Sequence, residues 1–364
     1  MIGKSNFRIK TKSELLFSNF PLITVLMSTF NNSGQISNAI NSILSQTFGN
    51  FEFLIINDAS TDNTRDLILS FRDKRIRLID NEKNVGLTKS LNKGLSLARG
   101  KYIARIDADD ISIQNRLEKQ LSFFSKNPEF ILLGSSFNII NKKHRVIKEV
   151  KFNINPENIY YDITFQNLFA HSSVIFKLSD AVALGGYDER FRFSQDYDLW
   201  YKFTRRGMTW ILPDILTLWC DEPGSISNKE KKEQQRIYRK IFIDNLKRLG
   251  VDEEVMKYAF YLHNFNDSDF LNCPEKKIHN VFRALLYINK KLVDNAPAFY
   301  DKSVLGDIVY QNVIDLLVRI YKNTDNKTKV ISFLIKNLLN LKLDKKILQK
   351  IVNFIKRKII KGKL

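Results

Sequence analysis

Cysteine is nearly absent from this chain. Its 364 residues hold two, Cys220 and Cys273, too few for a disulfide framework or a cysteine-rich zinc site. Long apolar runs are also missing, and no stretch approaches the roughly 20 apolar residues that span a bilayer. Ile163–Phe176, among the longest uncharged runs, contains Gln166, Asn167, His171, Ser172 and Ser173 and reads as buried strand and loop. Met1 to Phe20 carries Lys4, Arg8, Lys10, Lys12 and Glu14 and lacks the apolar core of a signal peptide, so a cytoplasmic protein is expected. Glycine and proline are sparse, at 14 and 7, while 44% of the chain is apolar. Those values exclude collagen-like and wholly disordered chains. The length is enough to bury a large core and leaves room for about two domains.

Negative charge is in deficit. Asp and Glu number 39 against 58 Lys and Arg, a formal net of +19. The excess lies late: residues 231–364 hold 28 basic against 14 acidic residues, and residues 324–364 hold 12 against 2. Such a tail fits a polyanion or an anionic membrane surface, or is merely solvated. Nucleic acid is disfavoured, because acidic residues crowd the strand ends described below and repel phosphate.

From Leu22 to about Cys220, short apolar runs alternate with helical patterns. Leu22–Met27, Phe51–Ile56, Ile76–Ile79, Tyr102–Ile106 and Ile131–Leu133 have the length and bounding turns of buried strands. Between them, Ile36, Ile40, Ile43 and Leu44 recur at helical spacing. So do Leu67, Ile68 and Phe71, and then Leu87, Leu91, Leu95 and Ala98. Thr61 or Asp62 can cap the second of these helices, and Gly100 can end the third. This alternation predicts an α/β fold with a mainly parallel central sheet and helices on both faces. Ligands of such sheets lie beyond the carboxyl ends of the strands.

After residue 230 the pattern becomes helical over Lys229–Arg248, Val281–Leu292, Val304–Tyr321 and Val330–Ile360. In the last of these, Ile331, Leu334, Leu338, Leu341, Leu348, Val352 and Ile355 form an apolar stripe ringed by lysines. The stripe either packs on the first domain or lies in a membrane interface. The expected division is an extension over 1–20, an α/β domain over 21–228 and a basic helical region over 229–364.

The strand ends carry the chemistry. The second expected strand runs into Asn57-Asp58-Ala59-Ser60-Thr61-Asp62, where Asp58 is either a ligand-facing acid or a helix cap. The fourth runs into Arg105-Ile106-Asp107-Ala108-Asp109-Asp110. Three carboxylates this close repel unless a cation compensates. Arg105 does so in part, and a hard divalent cation with oxygen ligands does so better; a solvated acidic turn is the alternative. Further on, Gly185-Gly186-Tyr187 suggests a flexible loop over a site, and Gln195-Asp196 opens an apolar helix. At a helix start the dipole favours an ionised Asp196, which is then a candidate general base or simply an N-cap.

Taken in order, these pieces resemble the family 2 inverting glycosyltransferases, whose nucleotide-sugar-binding domain has the GT-A fold. The resemblance covers about 200 residues, Leu22 to Asp221. It includes Ile23–Asn31, Ser42-Ile43-Leu44-Ser45-Gln46-Thr47, Asn57–Asp62, Asn84-Val85-Gly86-Leu87 with Asn92, Gly100-Lys101-Tyr102-Ile103, Asp107–Asp110, His171-Ser172-Ser173-Val174 and the Gln195-Asp196 helix. It implies that Ser28 and Phe30 line the nucleoside, that Asp58 accepts from a base such as uracil, and that Lys89 faces phosphate. Asp107 then matches the first acid of a D-x-D motif near the ribose. Asp109 or Asp110 matches the ligand of a Mn2+ or Mg2+ ion, and Asp196 the catalytic base. His171 and Tyr187 fall on the acceptor side, with a core histidine the alternative for the former.

Ser28 and Phe30 replace a common proline and tyrosine, Asn57 a common aspartate, and Gln195 a common glutamate; none removes a residue assigned to chemistry. The Q-x-x-R-W motif of processive polymerases does not follow Asp196, which points to single addition. The implied activity is metal-dependent transfer from a nucleotide-sugar donor, UDP-linked by resemblance, to a glycan or lipid-linked glycan acceptor. The implied setting is capsule, lipopolysaccharide or other surface-polysaccharide synthesis, with peripheral contact to the inner membrane face. A non-catalytic relative within an assembly complex is the alternative, and the intact Asp58, Asp107, Asp109 and Asp196 argue against it.

Overall fold

Ile23–Thr29 (β1) is buried at all its positions, which a strand achieves only with neighbours on both edges and cover on both faces. It pairs in parallel with Phe51–Asn57 (β2) and Tyr102–Arg105 (β4), and β2 pairs in parallel with Ile76–Asp80 (β3). These are the strands expected from the first four apolar runs. The computed structural model describes residues 20–221, 230–259, 261–262, 275–322, 349 and 353.

Beyond β4 the sheet continues through Ile175–Lys177 (β8), Phe130–Ile140 (β6), Met208–Cys220 (β9) and Ile111–Ser112 (β5), with Val146–Val150 (β7) paired to β6. β8 is antiparallel to β4 and β6, and β9 is parallel to β6. The sheet is mixed: the pairings of β1 with β2 and β4, β2 with β3, and β6 with β9 are parallel as expected, and antiparallel pairings join β8, β7 and β5 to it. β8 has three residues, too few to announce a strand, and pairing with its neighbours sets its direction. β9 was hidden for another reason. Pro213-Asp214 interrupts it, and the pairing jumps there from Ser135–Leu212 to Ser136–Ile215. A bulge lets a residue without an N–H sit inside a paired strand.

Helices cover both faces, as expected. Ile23, Val25 and Met27 share a core with Ile36, Ile40 and Ile43 of Ile36–Leu44 (α1) and with Phe124 of Arg116–Lys126 (α4). Leu26, Leu54 and Ile56 face the other way, toward Leu91 and Leu95 of Leu87–Leu97 (α3) and Trp200 of Gln195–Arg206 (α7). Asp62 accepts from the Thr64 amide at 3.0 Å and so serves the start of Thr64–Ser70 (α2). Gly100 is not the end of α3, which finishes at Leu97. Its role is close approach: a Cβ there would stand 2.3 Å from the Thr24 nitrogen.

Two further helices, Pro156–Asp162 (α5) and Leu178–Ala183 (α6), complete this part. Lys231–Arg248 (α8), Glu253–Ala259 (α9), Glu275–Asp294 (α10) and Lys302–Lys322 (α11) follow. They pack onto α5 through an apolar core that includes Tyr160, Tyr161, Phe165, Phe242, Leu285 and Val309, and α8 meets α7 in a second core through Ile237 and Ile241. Buried tyrosine hydroxyls need partners. Tyr160 donates to the Leu292 carbonyl (3.1 Å), Tyr161 to Asn289 Oδ1 (2.8 Å) and Tyr201 to the Asn245 carbonyl (3.1 Å).

Asp198 of α7 is fully buried between Lys202 and Arg248, each at 2.6 Å. Removing one partner of a buried pair leaves an uncompensated charge, which costs about 3–5 kcal/mol. Since Lys202 remains, Arg248→Met is expected to cost about 3 kcal/mol, the low end of that range. Urea unfolding checks this, and an unchanged midpoint contradicts it.

The extension before residue 20, Cys273, the stripe from Ile331 to Ile355 and the basic segment 324–364 lie outside the described residues, apart from residues 349 and 353. Among the described residues no helix is long and apolar enough to cross a membrane.

Candidate active site

Adjacent strands deliver the site. β1, β2 and β4 run side by side in parallel, so the segments leaving them share one edge of the sheet. Ser28 is buried near the end of β1, and Phe30, just beyond it, is 43% exposed. The Asp58 amide donates to the Thr29 carbonyl at 2.8 Å, which carries the β1–β2 pairing into this edge.

Asp58 is only 2% exposed. Asn81 Nδ2 (2.7 Å) and the Val85 amide (3.0 Å) donate to its Oδ1, and the Gly86 amide (2.8 Å) to its Oδ2. Asp58 thus fastens the segment leading into α3. A carboxylate accepts about four hydrogen bonds, so room for one more remains. Lys89 stands exposed in the first turn of α3.

β4 ends at the fully buried Arg105, whose guanidinium pairs with Asp107. Ser172 Oγ donates to Asp107 Oδ2 (3.0 Å) and accepts the Asp107 N–H (2.9 Å). Burial opposes charge on Asp107, but Arg105, then His171 and Ser172, hold its carboxyl below the ordinary value. Arg116 lies buried close by and donates to the Arg105 and Val174 carbonyls, both at 2.9 Å. Burial, then the charge of Arg105, lowers Arg116 to about 9.

Asp109 and Asp110, indistinguishable in sequence, part company here. Asp110 is 1% exposed, and its Oδ1 accepts the Cys220 amide at 2.8 Å. Its buried Oδ2 has no hydrogen-bond partner. Burial, then the charges of Asp109 and Asp107, push its carboxyl well above the ordinary value. Asp109 remains half-buried.

Asp196 enters from the first turn of α7. Asn167 Nδ2 donates to its Oδ2 at 2.8 Å. A helix start was expected to keep this carboxyl ionised; burial outweighs that and, against the lowering effect of Asn167, pushes it up to about 6. The charge of Asp107 contributes in the same direction.

His171 Nε2 meets Tyr187 Oη at 2.9 Å, and its ring packs edge-on to Trp200, 6.0 Å between centroids. Burial, then Arg105, pushes the imidazole down to about 3, so it is neutral near pH 7. Tyr187 is 1% exposed. The turn before it, expected to be a flexible loop over a site, is tied to α3 at Tyr187. The Tyr187 amide donates to Asn92 Oδ1 (2.9 Å), and Asn92 Nδ2 returns a bond to the Tyr187 carbonyl (2.8 Å). Gly186, at φ 68°, lies so close that a Cβ would stand 2.7 Å from Asn92 Oδ1.

Asp107, Asp110, His171, Tyr187 and Asp196 therefore form one cluster, with Asp109 its more exposed member. Ser28, Phe30 and Asp58 belong to the adjoining ends of β1 and β2. Sequence reasoning missed the roles of Asn167, quoted only as a member of an uncharged run, and of Ser172, quoted there and in the His171–Val174 segment without a role of its own. It missed Arg116 altogether. No spacing or charge pattern marks such residues, because their partners come from distant segments. The cluster combines hard oxygen donors with a carboxyl that ionises near neutral pH, which suits holding a hard cation beside a proton acceptor.

Residues 24–177 match the family model for glycosyl transferase family 2. The chain is 36% identical over 227 residues to an uncharacterized glycosyltransferase of Methanocaldococcus jannaschii, an alignment covering 60% of this chain and 77% of that one. It is also 36% identical, over 179 residues, to the Escherichia coli UDP-Glc:alpha-D-GlcNAc-diphosphoundecaprenol beta-1,3-glucosyltransferase WfgD, covering 49% of this chain and 68% of that one. Among solved structures it resembles S. aureus TarS 1–349 in complex with UDP-GlcNAc, with a TM-score of 0.55 and 17% identity over 85% of this chain and 90% of that one. The last likeness is one of fold, and the first three are of sequence. Together they make this chain a member of glycosyltransferase family 2, a glycosyltransferase of GT-A fold.

Proposed function

We propose that the protein transfers a sugar, with inversion, from a UDP-linked donor to a hydroxyl of a glycan or lipid-linked glycan in surface-polysaccharide synthesis. The observation that carries this reading is Asp196: a carboxyl raised to about 6, held by Asn167 beside the acidic end of β4. The name of the relative WfgD, which pairs a UDP-glucose donor with a diphosphoundecaprenol-linked acceptor, supports the substrate class.

The chemistry is a single displacement. The acceptor oxygen attacks the anomeric carbon from the face opposite the diphosphate, the new C–O bond forms, and the bond to the diphosphate oxygen breaks. Asp196 takes the hydroxyl proton as attack proceeds, because a free alkoxide is far too basic to form beforehand. Phe30 offers its exposed ring to the nucleoside, Asp58 its remaining acceptor capacity to the base, and Lys89 its charge to phosphate. Ser28 lines the same edge and Asp107 the ribose side. His171 borders the acceptor side, and the buried Tyr187 acts there through its bond to His171.

The donor set suits a hard divalent cation, Mn2+ or Mg2+. It consists of carboxylate oxygens, and a buried one, Asp110 Oδ2, has no partner. Among the described residues no three His, Cys, Asp or Glu side chains form a ready cage. Magnesium sites commonly need one or two carboxylates plus substrate phosphates. Asp109 is the proposed main ligand, since Asp110 commits Oδ1 to Cys220. When bound, the cation neutralises charge on the diphosphate.

Thermal melting with UDP, GDP, CMP and their sugar conjugates, each with manganese and with chelator, tests the reading. A ligand at about 100 times its Kd stabilises by about 2.7 kcal/mol. A metal-dependent shift with UDP or a UDP-sugar is expected; no shift with any nucleotide overturns the proposal. The basic segment 324–364 extends it to an anionic membrane face, where each Lys or Arg contributes about 1 kcal/mol. Co-sedimentation with phosphatidylglycerol vesicles is expected to fall when that segment is deleted, and equal binding by the truncation refutes the membrane contact.

A further inference from the structure

We propose that Tyr238, on the first helix after the α/β sheet, is a positioning residue for Asp196 and acts through Asn167. Asn167 is held at three points. Its Nδ2 donates to Asp196 Oδ2 (2.8 Å), its Oδ1 accepts the Phe169 amide (3.2 Å), and its own backbone N–H donates to Tyr238 Oη. The Phe169 bond settles which way the amide faces. It occupies the oxygen and leaves the NH2 group for the carboxylate; a flipped amide would set oxygen against oxygen.

The backbone at Asn167 has no sheet or helix to hold it, since it lies in the irregular stretch between α5 and the short 3-10 turn His171–Ser173. Tyr238 supplies what is missing. Its ring stacks on Tyr197, the residue after Asp196, at 4.5 Å between centroids and 23° between planes. Tyr197 is itself anchored by donating to the Thr164 carbonyl at 3.1 Å. On either side of Tyr238, Ile237 and Ile241 of α8 are buried in the same core as Tyr197 and Trp200. Tyr238 thus touches both segments that frame Asp196, one through its hydroxyl and the other through its ring. The helical region thereby takes part in aiming a carboxylate of the sheet domain, beyond merely covering it. The charged and titratable groups that act on Asp196 are Asp107 at the end of β4, Tyr187 and Tyr238 itself.

This inference rests on Asp196 as the base, but its test does not require turnover. The full chain, carrying aspartate labelled with 13C at Cγ, is titrated by NMR, with Asp196→Asn used to assign the resonance. Asn167 donates to the charged form, so weakening that bond raises the pH at which Asp196 ionises. Asn167→Ala is expected to lower the ionised fraction at pH 6 by about tenfold, and Tyr238→Phe, which keeps the stacked ring, by about two- to tenfold. Because Tyr238 acts through Asn167, the double variant is expected to titrate as Asn167→Ala does; coupled residues fail to add. A purely structural role would lower thermal stability without moving this titration. A Tyr238→Phe curve that coincides with wild type overturns the proposal, and so do shifts that add in the double variant. Should Tyr238→Phe not fold, Tyr238→Met tests the same loss of hydroxyl, read the same way. Undiminished transfer by Asp196→Asn would instead sink the base assignment and leave these titrations standing, so the two failures are distinguishable.

Discussion

Asp196→Asn is expected to lower turnover by about 10²–10⁴-fold, the usual size of a general-base contribution, while nucleotide binding is retained. The substitution keeps the shape of the side chain and removes its capacity to take a proton. Asp196 lies in the first turn of α7 and belongs to neither β1 nor β2, whose ends are the proposed nucleoside edge, so donor affinity is expected to survive. The wild-type pH profile carries the same information. Burial raises Asp196 to about 6, and the base works only when ionised. Turnover therefore falls as pH drops through about 6, approaching tenfold per unit below it. Nucleotide release in a transfer assay, with the donor identified by melting, measures both. Wild-type turnover in the variant, or a rate flat down to pH 4, rejects the assignment.

Asp109→Ala and Asp110→Ala are expected to fail in different ways. The first removes the proposed cation ligand from a half-buried position. The manganese-dependent stabilisation by nucleotide, about 2.7 kcal/mol at 100 times Kd, then collapses to its value in chelator, while the unliganded protein melts nearly as wild type. The second leaves the buried Cys220 amide without its acceptor. That costs about 1–3 kcal/mol, partly offset by relieving the repulsion among three carboxylates, and the manganese response weakens with the loss of Oδ2 but persists through Asp109. Melting curves with and without manganese separate the two. If Asp110→Ala alone abolishes the metal response, the roles are exchanged.

The coupling between the sheet domain and the helices that follow it bears on both experiments. Arg248 reaches back to Asp198, two residues beyond Asp196 on α7. Destabilising variants at that contact are therefore expected to disturb the site without touching a substrate group. Such variants serve as controls for loss of activity through loss of structure.

The α/β class, the first four strands, α1 to α3 and the positions of the acids are legible along the chain. The reason is local. Buried strands are apolar runs, helices repeat their apolar residues at 3.6, and ligands gather where such strands end. The sequence also singled out Asp107, the Asp109-Asp110 pair without separating its members, and Asp196, because charge directly after a buried strand or at a helix start is visible without knowing what lies opposite.

The rest depends on contacts between segments distant in sequence. The direction of β8 and the bulge of β9 at Pro213 follow from pairing with strands distant in sequence. The difference between Asp109 and Asp110 depends on the Cys220 amide, 110 residues away from Asp110. The raised Asp196, the neutral His171 and the pinned turn before Tyr187 depend on burial and on Asn167, Arg105 and Asn92. Burial and partner geometry are properties of the assembled fold, and no pattern along the chain encodes them.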